Sequence, residues 1–350
     1  MPPAAVRRPL TITAWIVMST ACLILSPLIL AVGAIAAAVL RGPQPRIAAR
    51  LVIEYFGREL LVLIACGGLW VASGCGRRID GRRFQRAHFS LLRWFVSGLS
   101  ARVRELLNIR VQVAATPDAE ESLRSDRPLL FFSRHAGPGD SVFLTDMLMI
   151  RFDRLPSIVF KDALTLDPCI DLLGHRLPHA VLDTSDADEC EQRIRDAAAK
   201  LGPRGVLMLF PEGGNFTPER RRRAIAKLRR RGRHEEASAG EQMSHTMPPH
   251  PAGALAALHG NPDSDVIFGA HTGLGLAAFP RQLWREPPIG RTLTARMWHV
   301  PATDRPDDPE QQARWLYDWW GRIDEWVRAQ GEEEASSDDG SHEDQRPVGP

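Results

Sequence analysis

Three things are scarce in this 350-residue chain, and each removes a class of function. Charge imbalance is the first. With 44 Lys and Arg against 42 Asp and Glu, the formal net charge is only +2, and nothing global draws the chain to nucleic acid. Paired cysteine is the second. The five cysteines, Cys22, Cys66, Cys75, Cys169 and Cys190, have neither a disulfide-framework spacing nor a zinc-site spacing. They read as reduced thiols of a cytosolic-side protein, and no bound metal is expected. The third is a Ser or Cys in a nucleophile-elbow pattern, so no acyl-enzyme intermediate is indicated. There is no internal repeat, and the length suits one sizeable domain with appendages.

Charge is missing altogether from Leu10 to Leu40. About 20 apolar residues suffice to cross a bilayer, so this segment reads as membrane-embedded. It is too long for a secretory signal and lacks a clear cleavage motif. A single tilted helix would set Arg7 and Arg8 opposite Arg41, Arg46 and Arg50. A re-entrant hairpin bending near Ser26-Pro27 would keep all of them on one face. The apolar but short stretch Leu60 to Cys75 reads as a second membrane helix or an interfacial one. The basic run from Gly76 to Arg83 then returns the chain to a cytoplasmic surface. Residues 1–83 are thus expected to anchor the chain at the cell membrane, with a domain at 84–330 on the cytoplasmic side. Residues 331–350, acidic, Ser-rich and poor in apolar residues, read as a disordered tail.

After a helical linker from Phe84 to Leu107, short apolar runs alternate with helical patterns. Strands are expected at Ile109–Ala114, Leu129–Ser133, Ser157–Phe160, Ala180–Leu182, Val206–Phe210, Asp265–Gly269 and Thr292–Val300. Helices are expected at Asp140–Arg151, Asp188–Leu201, Ala252–His259 and Pro309–Gln330. This alternation indicates an α/β fold, a mixed sheet flanked by helices, behind an N-terminal membrane-embedded helical segment. In the last helix Trp315, Trp319, Trp320 and Trp326, with Leu316, Ile323 and Val327, read as a stripe packed on the sheet. Residues 232–250 are polar and irregular and read as a mobile loop beside the site.

Chemistry concentrates at two strand ends. His135-Ala-Gly-Pro-Gly-Asp140 follows the run Leu129–Phe132, which places His135 at a strand's C-terminal end, where open α/β sheets hold their ligands. The Gly137-Pro138-Gly139 reversal can return Asp140 onto the imidazole. A carboxylate there fixes the tautomer and stabilises the imidazolium, leaving the other ring nitrogen to take a proton from a hydroxyl. The second strand end, after Val206–Phe210, carries Pro211-Glu212-Gly213-Gly214-Asn215. Here a carboxylate is followed by glycines whose backbone can approach a ligand closely.

On these motifs the chain resembles the glycerophospholipid acyltransferase family, enzymes related to acylglycerol-phosphate and lysocardiolipin acyltransferases. The His-x-x-x-x-Asp block matches at His135 and Asp140, and the Phe-Pro-Glu-Gly block at Phe210 to Gly213. A later Pro-containing block resembles Met247 to Gly253. The resemblance spans roughly residues 85–300. It implies that His135 is a base with Asp140 as its partner, and that the Glu212-Gly213 turn helps hold an acceptor. Where the family often has Thr-Arg after Glu-Gly, this chain has Gly214-Asn215, and the middle block is blurred into Gly174 to Asp183. Arg176 is similar to that block's phosphate-binding Arg, though at a different spacing. Lys161 is similar to a supporting Lys.

The run Arg220 to Arg223, continued by Lys227, Arg229, Arg230, Arg231 and Arg233, has two readings. It is a solvated or membrane-attracting helix face, or Arg220 or Arg221 binds the acceptor's phosphate in place of the missing Arg. His271 reads as a polar strand-end residue at the site edge. The expected activity is acyl transfer from acyl-CoA, or acyl carrier protein, to a lysophospholipid hydroxyl. Backbone donors near Gly137–Gly139 would stabilise the oxyanion. The partners would be membrane lipids and acyl-CoA as co-substrate, with no bound cofactor. The alternatives are a lipid-binding scaffold without catalysis and a membrane-attached hydrolase in which His135 activates water.

Overall fold

In the computed structural model, residues 2–137, 139–273, 284–285 and 287–343 are described, with side chains as far as Gly331. Seven strands form one sheet in the order β1-β7-β6-β2-β5-β3-β4. They are β1 (Arg110–Ala115), β2 (Leu129–Ser133), β3 (Leu155–Lys161), β4 (Ala180–Leu182), β5 (Gly205–Leu209), β6 (Asp265–Thr272) and β7 (Thr292–Val300). Neighbours pair in parallel except β6 with β7, so β1 and β7 run against the other five. The sheet is mixed, and every expected strand is present.

The central strands β2 and β5 are buried at every residue, as a run apolar on both faces requires. Leu130 and Phe132 join one core and Leu129 and Phe131 the other, the two-residue period of a pleated strand. The first core is covered by α8 (Ala187–Ala199), α11 (Pro251–Gly260) and the C-terminal helix α12 (Pro309–Glu343). Trp320, Leu316 and Ile323 are fully buried there, and Trp319 stacks on Phe268 at 4.5 Å, so the tryptophan stripe packs on the sheet. On the opposite face Gly269 leaves room for Phe131 of the other core, because a Cβ there would come within 2.7 Å of its ring. The second core is covered by α5 (Pro117–Arg124) and α6 (Asp140–Ile150). Helix α12 runs on past Gln330, the expected end.

The N-terminal helices are α1 (Ala4–Ile24), α2 (Ser26–Val39), α3 (Gln44–Ala72) and α4 (Arg82–Leu107). Among the described residues no single helix is long and apolar enough to cross a membrane. Helices α1 and α2 meet that test only as a pair, bent by 66° across Leu25. The bend rules out one straight helix and falls beside Ser26-Pro27, where Pro27 supplies no N–H to continue the ladder; a broken span and a re-entrant pair both have this form. The segment taken to start near Leu60 is the second half of α3, whose first half carries Arg46, Arg50, Glu54, Arg58 and Glu59. Helices α3 and α4 pack on α7 (Pro168–Arg176) in a third core. Arg7 and Arg8 both ion-pair with the fully buried Asp171 of α7, at 2.8 and 3.0 Å.

Residues 232–250 are irregular only in their second part, 243–250. They contain α10 (His234–Gln242), preceded by the basic helix α9 (Pro218–Arg230).

Candidate active site

Strands β6, β2 and β5 are adjacent and parallel, so their C-terminal ends open on one edge. His135 follows β2, Glu212 follows β5, and His271 is the penultimate residue of β6.

The Gly137–Gly139 reversal brings Asp140, at the first turn of α6, back onto His135, with Nδ1 3.2 Å from Asp140 Oδ2. The same oxygen accepts from the backbone N–H groups of Ala136 at 2.5 Å and Gly137 at 2.7 Å. Burial pushes the Asp140 carboxyl up, but the His271 charge and hydrogen bonds from His135 and His271 outweigh it and hold it well below the usual range. An ionised carboxylate only accepts, so His135 Nδ1 carries the proton and Nε2 presents its lone pair. The ring lies flat on Phe210, centroids 4.3 Å apart, which fixes its plane. His135 retains 17% of its side-chain exposure against 0% for Asp140, so the base reaches solvent while its partner does not.

Glu212 is buried and plays a different part. Its Oε1 accepts from His135 N at 3.1 Å and its Oε2 from Met247 N at 3.2 Å. Burial pushes this carboxyl up to about 7, against the opposing pull of the buried Arg134 guanidinium. Glu212 thus ties the β2 turn to the Met247 to Gly253 block, whose His250 N also donates to Pro211 O at 2.8 Å. Gly213 has φ +67°, and a Cβ there would press on His250 at 3.1 Å, so both backbone conformation and space call for glycine. Lys161 Nζ donates to Gly213 O at 3.0 Å, a supporting contact.

The expectation about oxyanion donors at this turn changes. The Gly137 N–H is taken by Asp140, and Pro138, which has no N–H, lies outside the described residues. Among the described residues of the reversal, that leaves the Gly139 N–H as the candidate oxyanion donor. The segment after α10 is also held firmly. Asp324 of α12 accepts from the N–H groups of Ser244, His245 and Thr246 and from the Thr246 hydroxyl, at 2.6 to 3.0 Å.

The arginines separate. Arg220 reaches back over the Glu212 turn, donating to Asn215 O at 3.2 Å, and its Nη1 would lie 3.4 Å from a Cβ at Gly214. Arg221 turns the other way and donates to Gly240 O at 3.0 Å, Glu241 O at 2.8 Å and Met243 O, closing the C-terminus of α10. Arg176 donates to Cys66 O of α3 at 2.9 Å and lies 3.2 Å from His88 of α4. Its contacts are with the N-terminal helices and not with the His135 turn.

Sequence reasoning left His271 at the site's edge and did not find Arg134 or Asp324. Arg134 is buried and donates to His271 O at 2.6 Å and His245 O at 3.1 Å. Its position beside His135 was the available signal, since an Arg following a buried strand must find carbonyl or carboxylate partners. No curated protein and no solved structure matches the chain. Residues 116–247, which hold His135, Asp140 and Glu212, match the family model described as Acyltransferase, and acyl transfer is the general activity this match supports.

Proposed function

We propose that the protein is a membrane-attached O-acyltransferase that moves a fatty acyl group from a thioester, acyl-CoA in the first instance, to the hydroxyl of a lysophospholipid. The observation that carries this reading is the His135–Asp140 pair, open to solvent on its histidine side, inside the acyltransferase segment. His135 Nε2 removes the acceptor's hydroxyl proton as the oxygen attacks the thioester carbonyl. The C–S bond then breaks, and the imidazolium returns the proton to the leaving thiolate. Asp140 stabilises the imidazolium between these steps, and Glu212 keeps the turn in place. Arg220, over the Gly213-Gly214 turn, is the guanidinium at that turn for a lipid phosphate, beside Lys161 on Gly213 O. Arg221 and Arg176 hold structure instead.

Membrane attachment is supported by the outer surface of α1 and α2, where Leu10, Val17, Ile24, Ile35 and Val39 are between 63% and 74% exposed. An apolar surface of that continuity suits acyl chains better than water. On this reading the pair bent at Leu25 is re-entrant, and the domain faces the cytoplasm.

The test is thioester consumption by purified protein over a panel of lysophospholipids. His135→Ala should lose about 10²–10⁴-fold in turnover with its melting temperature kept. Near-normal turnover in that variant ends the proposal. Thioester loss without any acceptor would instead establish hydrolysis.

A further inference from the structure

Away from the strand ends, the seam between α3 and α7 holds a group of side chains that the acyl-transfer reading does not use. Glu59 of α3 is fully buried, and neither of its carboxylate oxygens accepts a well-directed hydrogen bond. Asp167 and Cys169, at the start of α7, face it. One ligand-capable atom from each of the three residues lies within 4.8 Å of the others. Asp167 Oδ1 caps α7 by accepting from Cys169 N at 2.9 Å and Ile170 N at 3.1 Å, and Oδ2 takes the Tyr55 hydroxyl. Among the described residues none forms an ion pair with Glu59 or Asp167. A buried carboxylate without a cation is costly, and here a second carboxylate and a thiol stand beside it.

We propose that Glu59, Asp167 and Cys169 bind a zinc-class divalent cation that clamps α3 to α7. The donor set selects the ion. Zinc accepts thiolate sulfur together with carboxylate oxygen, whereas magnesium and calcium take oxygen ligands. Binding forms one metal–sulfur bond and metal–oxygen bonds, and releases the Cys169 thiol proton to solvent. The Tyr55 hydroxyl orients the Asp167 carboxylate, as hydrogen-bonded neighbours of metal ligands commonly do. The place suits a clamp, because α7 also receives Arg7 and Arg8 on Asp171. Local spacing could not reveal the site, since Glu59 and Cys169 are 110 positions apart.

Full-length protein in detergent, stripped with a chelator and dialysed against zinc or cobalt, tests this. Wild type should bind one equivalent of zinc and, with cobalt, show thiolate-to-metal charge-transfer absorption. Cys169→Ser should lose that absorption although Cys22, Cys66, Cys75 and Cys190 remain. Glu59→Gln should weaken zinc binding at least tenfold, and Tyr55→Phe about 10–100-fold. Zinc should raise the melting temperature of wild type but not of Glu59→Gln. No uptake by wild type, or uptake undiminished in Cys169→Ser, overturns the site. If that variant does not fold, a wild-type melting temperature unmoved by saturating zinc does the same.

Discussion

His271 Nε2 lies 3.4 Å from the same Asp140 oxygen that His135 Nδ1 reaches at 3.2 Å. It also lies 3.3 Å from Arg134 O. Both neighbours are acceptors, so Nε2 of His271 carries a proton, and Asp140 is loaded from two imidazoles and two backbone amides. His271 comes from β6, after the matched segment ends, and is almost completely buried. In the proposed reaction it would act through Asp140, as a positioning residue.

His271→Leu removes one donor from a buried carboxylate. A hydrogen bond to a charged group is worth about 1.5–3 kcal/mol, so the variant should lose roughly ten- to hundredfold in turnover. Its Asp140 should protonate more easily, so the acid limb of the pH–rate profile should move to higher pH. His271→Gln keeps a donor and should recover much of the loss. A lowered melting temperature with an unmoved acid limb would reduce His271 to packing.

Glu212 and Asp140 impose opposite pH dependences on stability. Burial raises the folded Glu212 carboxyl to about 7, above the roughly 4.3 of an unfolded Glu. The folded state therefore binds more protons across that window, and this contribution to stability is present below about 4.3 and lost as pH rises through 7. Asp140 is depressed, so its contribution is present above the ordinary aspartate range near 3.9 and lost as pH falls below it. Glu212→Gln should abolish the fall between about pH 4.3 and 7 while leaving the acid loss intact. Melting curves of variant and wild type that run parallel across that interval would contradict the buried-carboxyl account.

The fold was largely legible because its central strands are unbroken apolar runs between turns, as Leu129–Ser133 and Gly205–Leu209 show. The His135 and Glu212 turns were legible for the same reason, each carrying an ionisable residue two or three positions after such a run. What escaped was long-range polar pairing. Residues 243–247 look irregular because their order comes from Asp324, some 80 positions away at Ser244, and not from any local pattern. Arg221 looked like its neighbour Arg220, since a run of arginines has no internal mark of which will meet the carbonyls of α10. The bend at Leu25 was readable from Pro27, whereas the Arg7 and Arg8 pairing with Asp171 was not.

Asp324→Ala should show how far that remote anchor matters. It leaves the N–H groups of Ser244, His245 and Thr246 without their acceptor in a segment whose next residue, Met247, holds Glu212. Each buried group left unsatisfied costs about 1–3 kcal/mol. The variant should melt several degrees lower and turn over slowly, although Asp324 touches neither His135 nor Asp140. Asp324→Asn, which keeps one acceptor oxygen, should fall between. Hydrogen exchange at residues 244–247 should quicken in the alanine variant, and unchanged exchange there would remove Asp324 from the positioning of Glu212.

The split between Arg220 and Arg221 yields the sharpest test of the acceptor. Arg220 lies over the turn that carries Gly213 and Gly214, whereas Arg221 closes α10 through three backbone carbonyls. Arg220→Gln should raise KM for the lysophospholipid about ten- to hundredfold, the worth of one charge-assisted contact, and spare that for the acyl donor. Arg221→Gln should lower the melting temperature and leave the ratio of the two KM values unchanged. Both measurements belong in neutral detergent micelles, because a basic helix also gains on the order of 1 kcal/mol per residue from an anionic membrane. An Arg220→Gln defect that vanishes in micelles would make α9 a membrane-attracting face, and the phosphate would then need another cation.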